Sequence, residues 1–137
     1  MEMEIRKIGW GELFDGIREL AKQVTMYAVD NDLYRYVWGM PSNGTIIAAM
    51  MPKVEPSLIP LPLVSNEQMA YTIVDDITDS GKTMLAFKGE LQIWASVYQR
   101  LASPEADIYV EMVPVGTWLQ FPWENDEATA NDIEERS

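Results

Sequence analysis

Positions 73–83 read Ile-Val-Asp-Asp-Ile-Thr-Asp-Ser-Gly-Lys-Thr. A short apolar run ends in two adjacent carboxylates, Asp75 and Asp76, and a turn rich in hydroxyls follows. Backbone N–H groups of residues 78–83, together with the hydroxyls of Thr78, Ser80 and Thr83, can surround a dianionic phosphate at the positive end of a following helix. Lys82 lies in the same turn and either adds a charged donor or points to solvent. Two neighbouring carboxylates repel phosphate but accept hydrogen bonds from a pair of vicinal hydroxyls. Phosphate on one side and a diol on the other describe a ribose 5-phosphate. A nucleotide-hydrolase loop needs Gly five residues before its Gly-Lys-Thr, and that position is Asp76. A plain helix cap accounts for Asp79 and Ser80 but leaves the two strand-end carboxylates unexplained. The hard oxygens of Asp75, Asp76 and Asp79 also suit Mg2+, a reading compatible with a ribose phosphate.

Composition narrows the chemistry further. The chain has 137 residues, enough for one domain with one core, and 47% apolar with 23% charged residues is ordinary for a globular fold. Ten basic against 22 acidic residues give a formal net charge of −12, which disfavours partners held through a phosphate backbone, so no nucleic acid is expected. The absence of Cys and His removes disulfides, thiolate and imidazole metal sites, and every triad with an imidazole base. Residues 1–8 alternate charged and apolar types without a continuous apolar run, so neither a signal peptide nor a membrane span is expected and a cytoplasmic location follows.

Elements that must position these residues follow from periodicity. Trp10, Leu13, Phe14, Ile17, Leu20, Ala21 and Val24 recur at helical spacing and predict an amphipathic helix over 10–24. Residues 34–40 read as a strand, 41–44 as a turn and 45–51 as a helix. Pro56, Pro60 and Pro62 make 54–64 a loop or short edge strand. A strand over 71–74 ending at Asp75-Asp76, a helix over 82–91, and strands over 92–98 and 108–113 complete the pattern. Alternating strands and helices predict an α/β fold, a mostly parallel central sheet with flanking helices. Residues 124–137 carry six acids against Arg136 and predict a frayed acidic tail. No repeat of solenoid period is present.

The segment around Asp75 resembles the phosphoribosyl-diphosphate-binding motif of the type I phosphoribosyltransferases, with Asp75, Asp76, Asp79, Ser80, Gly81 and Thr83 at matching places. A second stretch, Gly116-Thr117-Trp118-Leu119-Gln120-Phe121-Pro122-Trp123-Glu124, is similar to the purine-covering segment of the xanthine-guanine group. Physically, Trp118 offers a flat face for a purine and backbone near Leu119 could read the base edge, while two core tryptophans are the bland alternative. A weaker match places Ser42, Asn43 and Gly44 at the family's diphosphate-binding turn, where Ser42 and Asn43 replace an Arg and the first Gly. That exchange removes a charge-assisted contact worth about 1.5–3 kcal/mol. Arg100 follows a strand where the purine group has a basic residue for the 6-oxo group, and an exposed strand-end Arg is the equal alternative. Asn43-Gly44-Thr45 is also a glycosylation sequon, without consequence in the absence of a secretion signal.

The resemblance implies a type I phosphoribosyltransferase-like domain over 1–123 with a small C-terminal hood including 104–123, followed by the 124–137 tail. It implies transfer of a phosphoribosyl group from phosphoribosyl diphosphate to a 6-oxopurine, giving a nucleoside monophosphate. Mg2+ is implied as cofactor, with Asp75 and Asp76 reaching it indirectly through ribose hydroxyls or water. Asp79 would face the purine imidazole edge as general base or hydrogen-bond partner. Between the first turn and Asp75 the family fits further strands and a flexible lid, whereas this chain has only residues 45–74. A missing lid admits water, so hydrolysis or low turnover is expected, and a nucleotide-binding regulatory protein is the alternative. A homo-oligomer, dimer or tetramer, is implied, with apolar stretches 46–51 and 58–64 as interface candidates.

Overall fold

The computed structural model describes residues 3–41, 43–61 and 69–136, with the Arg136 side chain left aside. Ser42 and the part of the 58–64 patch beyond Leu61 lie outside the described residues. The fold is α/β, as the alternating runs predict. In chain order the elements are β1 (Glu4–Lys7), α1 (Trp10–Asp30), β2 (Tyr36–Gly39), α2 (Asn43–Val54), β3 (Ile59–Pro60) and β4 (Thr72–Thr78). Then come α3 (Lys82–Phe87), β5 (Ile93–Arg100), β6 (Ile108–Val113), β7 (Thr117–Gln120) and α4 (Asp126–Arg136). Five strands form a parallel sheet of order β3-β2-β4-β5-β6, and β1 pairs in parallel with β7 in a separate two-stranded sheet. Among the described residues no helix is long and apolar enough to cross a membrane.

The stripe on α1 buries Leu13, Ile17, Leu20, Ala21, Val24 and Ala28 against one sheet face, where α2 adds Ile47, Ala48 and Met51. Opposite them, Ile73 and Trp94 pack with Met40, Tyr71, Ala106 and Met84 of α3. Covered on both faces, the central strands are buried, as a parallel sheet requires.

Several expectations need correction. The first helix continues past Val24 to Asp30 because Ala28 extends its buried stripe, while Trp10 and Phe14 lie outside the core at 48% and 37% exposure. Trp10 instead meets Phe14 at a tilt and Trp123 edge-on in an aromatic cluster. β4 runs through the acidic pair to Thr78, since β5 supplies a ladder for its whole length. α3 stops at Phe87 instead of reaching Leu91, for Leu85, Phe87 and Leu91 are exposed and nothing packs a longer helix. β6 belongs to the main sheet, so the expected hood over 104–123 reduces to β7 and a partner, β1, that sequence reasoning did not supply. Residues 126–136 form a helix where a frayed tail was expected. The Asn125 side chain accepts the Ala128 N–H at 2.7 Å and caps it, acids occupy its first turn, and Thr129 is fully buried. The stretch 46–51 is an unsuitable interface because Ile47, Ala48 and Met51 are inside the chain's own core, as is Leu58.

Candidate functional site

Strand order places the site. From β2 the chain crosses through α2 to β3 on one side, and from β4 it crosses through α3 to β5 on the other, so the crevice between the carboxyl ends of β2 and β4 is a switch point. β2 pairs with β4 only as far as Gly39 with Val74. Past that register the flank of β4 is open, and Asp75 and Asp76 are the next two residues. Gly44 makes this possible: a Cβ there would collide with the Val74 carbonyl and approach the Asp75 Cα, so only glycine lets the start of α2 sit so close. Gly39 faces Gly44 in the same way.

A cleft of about 990 Å³ opens at this point. Asp75, Asp76, Thr78, Asp79, Ser80, Gly81, Lys82 and Thr83 line it, with Asn43 beside them and Arg100, Trp118 and Leu119 facing from the other side. Gly44 does not line it; its role is to bring α2 against β4. The turn expected to hold diphosphate is therefore represented by Asn43, whose Nδ2 donates to Asp76 Oδ2 at 3.2 Å.

The acidic pair is strongly perturbed. Burial, and then the charge of Asp76, push the Asp75 carboxyl up to about 8, and burial likewise raises Asp76. Backbone hydrogen bonds act the other way: the Asp76 N–H donates to Asp75 Oδ1 at 2.9 Å and the Ile77 N–H to Asp76 Oδ1 at 2.7 Å. Two buried neighbouring carboxylates cannot both be charged cheaply, so the pair retains a proton near neutrality.

The hydroxyl-rich turn after β4 is built in detail. Gly81 has φ of +82°, and a Cβ there would also press on the Pro104 ring. The Ser80 hydroxyl accepts the Lys82 N–H at 3.3 Å. Lys82 and Thr83 are exposed at the cleft. Thr78 differs from a simple phosphate donor. Trp94 Nε1 donates to its Oγ1 at 3.1 Å, and its own proton goes to Ser96 Oγ at 2.8 Å because Ser96 donates onward to the Tyr98 carbonyl.

Arg100 is 9% exposed and engaged: Nε donates to Asp79 Oδ1 at 2.9 Å, and Nη1 donates to the Pro114 carbonyl at 2.6 Å and to the Thr117 carbonyl. Trp118 and Trp123 have parted roles. Trp118 lines the cleft, whereas Trp123 stacks on Phe121 with ring centroids 5.0 Å apart. Sequence reasoning missed Glu124, Asp132 and Glu135, which also line the cleft. Burial, with the charges of Asp132 and Asp76, raises the Glu124 carboxyl, while Thr129 Oγ1 donates to it at 3.0 Å. The Asn125 cap followed by Asp126 and Glu127 was the legible signal for the helix that carries Asp132 and Glu135.

No family model matches the chain. It is 27% identical to a xanthine-guanine phosphoribosyltransferase of Cereibacter sphaeroides over 85% of each chain. Among solved structures, it resembles a purine phosphoribosyltransferase from Pyrococcus horikoshii with a TM-score of 0.72 and 19% identity, over 90% of this chain and 96% of that one. It also resembles the xanthine-guanine-hypoxanthine phosphoribosyltransferase of Helicobacter pylori with a TM-score of 0.69 and 16% identity, over 96% of this chain and 99% of that one.

Proposed function

We propose that the chain is a type I phosphoribosyltransferase and that it transfers a 5-phosphoribosyl group from phosphoribosyl diphosphate to a 6-oxopurine, yielding a nucleoside monophosphate and diphosphate, a reading supported by its likeness to purine phosphoribosyltransferases. One observation carries the reading: an acidic pair, a hydroxyl-rich turn and an aromatic from a second sheet converge on one cleft at the switch point. The turn at 79–83 takes the 5-phosphate, Asp75 and Asp76 accept the ribose hydroxyls, and Trp118 takes the purine face.

In the reaction the anomeric C–O bond to diphosphate breaks and a C–N bond to the purine forms. Positive charge builds on the sugar ring, and carboxylates at Asp75 and Asp76 stabilise it more than the neutral ground state. Asp79 holds or accepts the proton at the imidazole edge of the base. Asp75 and Asp76 present hard oxygens, and among the described residues no cluster of three or more acids is arranged as a cage. That donor set fits Mg2+ carried by substrate oxygens and water. When bound, Mg2+ neutralises charge on the leaving diphosphate.

Incubation with phosphoribosyl diphosphate, Mg2+ and each of guanine, xanthine, hypoxanthine and adenine, with diphosphate release as the readout, tests the proposal. Release is expected with 6-oxopurines and not with adenine, and Asp79→Asn should lower kcat by about 100-fold or more. A parallel reaction without base reads hydrolysis of the activated sugar. Absence of release with all four bases overturns the proposal.

A further inference from the structure

Arg100 stands where β5 ends, at the meeting of two parts of the fold that no strand pairing joins. Its Nε holds Asp79 in the turn after β4, and its Nη1 holds the Pro114 and Thr117 carbonyls at the entry to β7. β7 is laddered to β1, and these two form a sheet separate from the five-stranded one. Trp118 is the next residue along from Thr117. Resting on the phosphoribosyltransferase reading, we propose that Arg100 is a positioning residue, a fork that fixes the purine platform at Trp118 to the Asp79 turn and so aligns the base with the phosphoribosyl group.

Three of the five guanidinium N–H groups are spent on these contacts, and all three partners are protein groups. The charge is nearly buried, which is tolerable because a carboxylate and two carbonyls compensate it. Planarity matters: the fork addresses a side chain on one edge and two backbone oxygens on the next. A Lys ammonium is a point charge on a flexible stem and reproduces the charge without the span. This role differs from reading the 6-oxo group directly, because a clamp acts on every base seated on Trp118, whatever its substituent.

The test uses the full chain with Arg100→Gln and Arg100→Lys. Titration calorimetry measures GMP, the 5′-monophosphate of 2-aminopurine riboside, which lacks the 6-oxo group, and diphosphate with Mg2+. Amide exchange is followed at residues 117–120. Arg100→Gln should weaken both nucleotides by a common factor of about tenfold or more, leave diphosphate within about twofold, and speed exchange in β7 while β4 and β5 stay protected. Arg100→Lys should recover only part of each effect, and it carries the comparison if Arg100→Gln does not fold. A loss confined to GMP, full recovery by Lys, or unchanged affinities and exchange would each overturn the clamp. If the wild type binds neither nucleotide, the proposed function falls, and exchange at β7 still decides the clamp: faster supports it, unchanged overturns it.

Discussion

Asp75 and Asp76 hold a proton that free carboxylates lose in mild acid. Because burial raises both in the folded chain, the folded state binds more protons than the unfolded one between the ordinary carboxylate range and about pH 8. Stability contributed by the pair is therefore complete at low pH and is lost as pH rises through that window. Thermal unfolding of Asp75→Asn should show a higher midpoint than wild type near pH 8, with the gap closing toward pH 5. A gap that widens toward low pH would contradict the assignment. If the proposed function holds, the same linkage reaches the ligand: ribose hydroxyls donating to the pair favour its ionised form, so nucleotide binding at pH 7 should release protons, read by calorimetry in buffers of different ionisation enthalpy. Gly81 shows backbone constraint at the same scale. Its positive φ and the Pro104 ring both oppose a side chain, so Gly81→Ala should cost more than the roughly 1–2 kcal/mol of a left-handed residue alone, read by urea denaturation.

At the scale of elements, the cleft depends on β4 outrunning β2. The ladder to β5 spans Thr72 to Thr78, whereas the ladder to β2 ends at Val74, and α2 fills the vacated flank through Gly44. Gly44→Ala must push α2 away from β4 and should lower stability by about 2 kcal/mol or more, with loss of nucleotide binding. Gly9→Ala, where a Cβ meets nothing within 4 Å, is the matched control and should be near neutral. Behind the turn, Gln99 orders the 104–106 segment, donating to the Pro104 carbonyl at 2.9 Å and accepting the Ala106 N–H at 2.8 Å. That segment is what presses on Gly81, so a buried glutamine in β5 shapes the turn beyond the end of β4.

For the molecule as a whole, part of the net charge of −12 falls at the cleft. Asp75, Asp76, Glu124, Asp132 and Glu135 share one cleft, and of the lining cations Arg100 is already paired with Asp79. On the proposed function, an anionic substrate meets an acidic rim supplied in part by α4. The double variant Asp132→Asn with Glu135→Gln should bind diphosphate about two- to fivefold more tightly at low salt, the gain fading at higher ionic strength. Equal affinities at low salt would show that α4 does not influence the cleft.

The sequence by itself determined the residue types and their local order. The runs from Asp75 to Thr83 and from Thr117 to Leu119 were legible as candidate site segments, and strand-helix alternation was legible as a parallel sheet, because these follow from short-range chemistry and periodicity. Tertiary structure decided what depends on residues far apart in the chain. It settled the two opposed ladders that expose the acidic pair, the pairing of Glu4–Lys7 with Thr117–Gln120, and the partners of Arg100. It also turned a run of acids into a helix at the mouth of the cleft, since burial of Thr129 and a cap from Asn125 outweigh a composition that reads as solvated. Burial and field depend on the sum of neighbours, and no local spacing carries that sum.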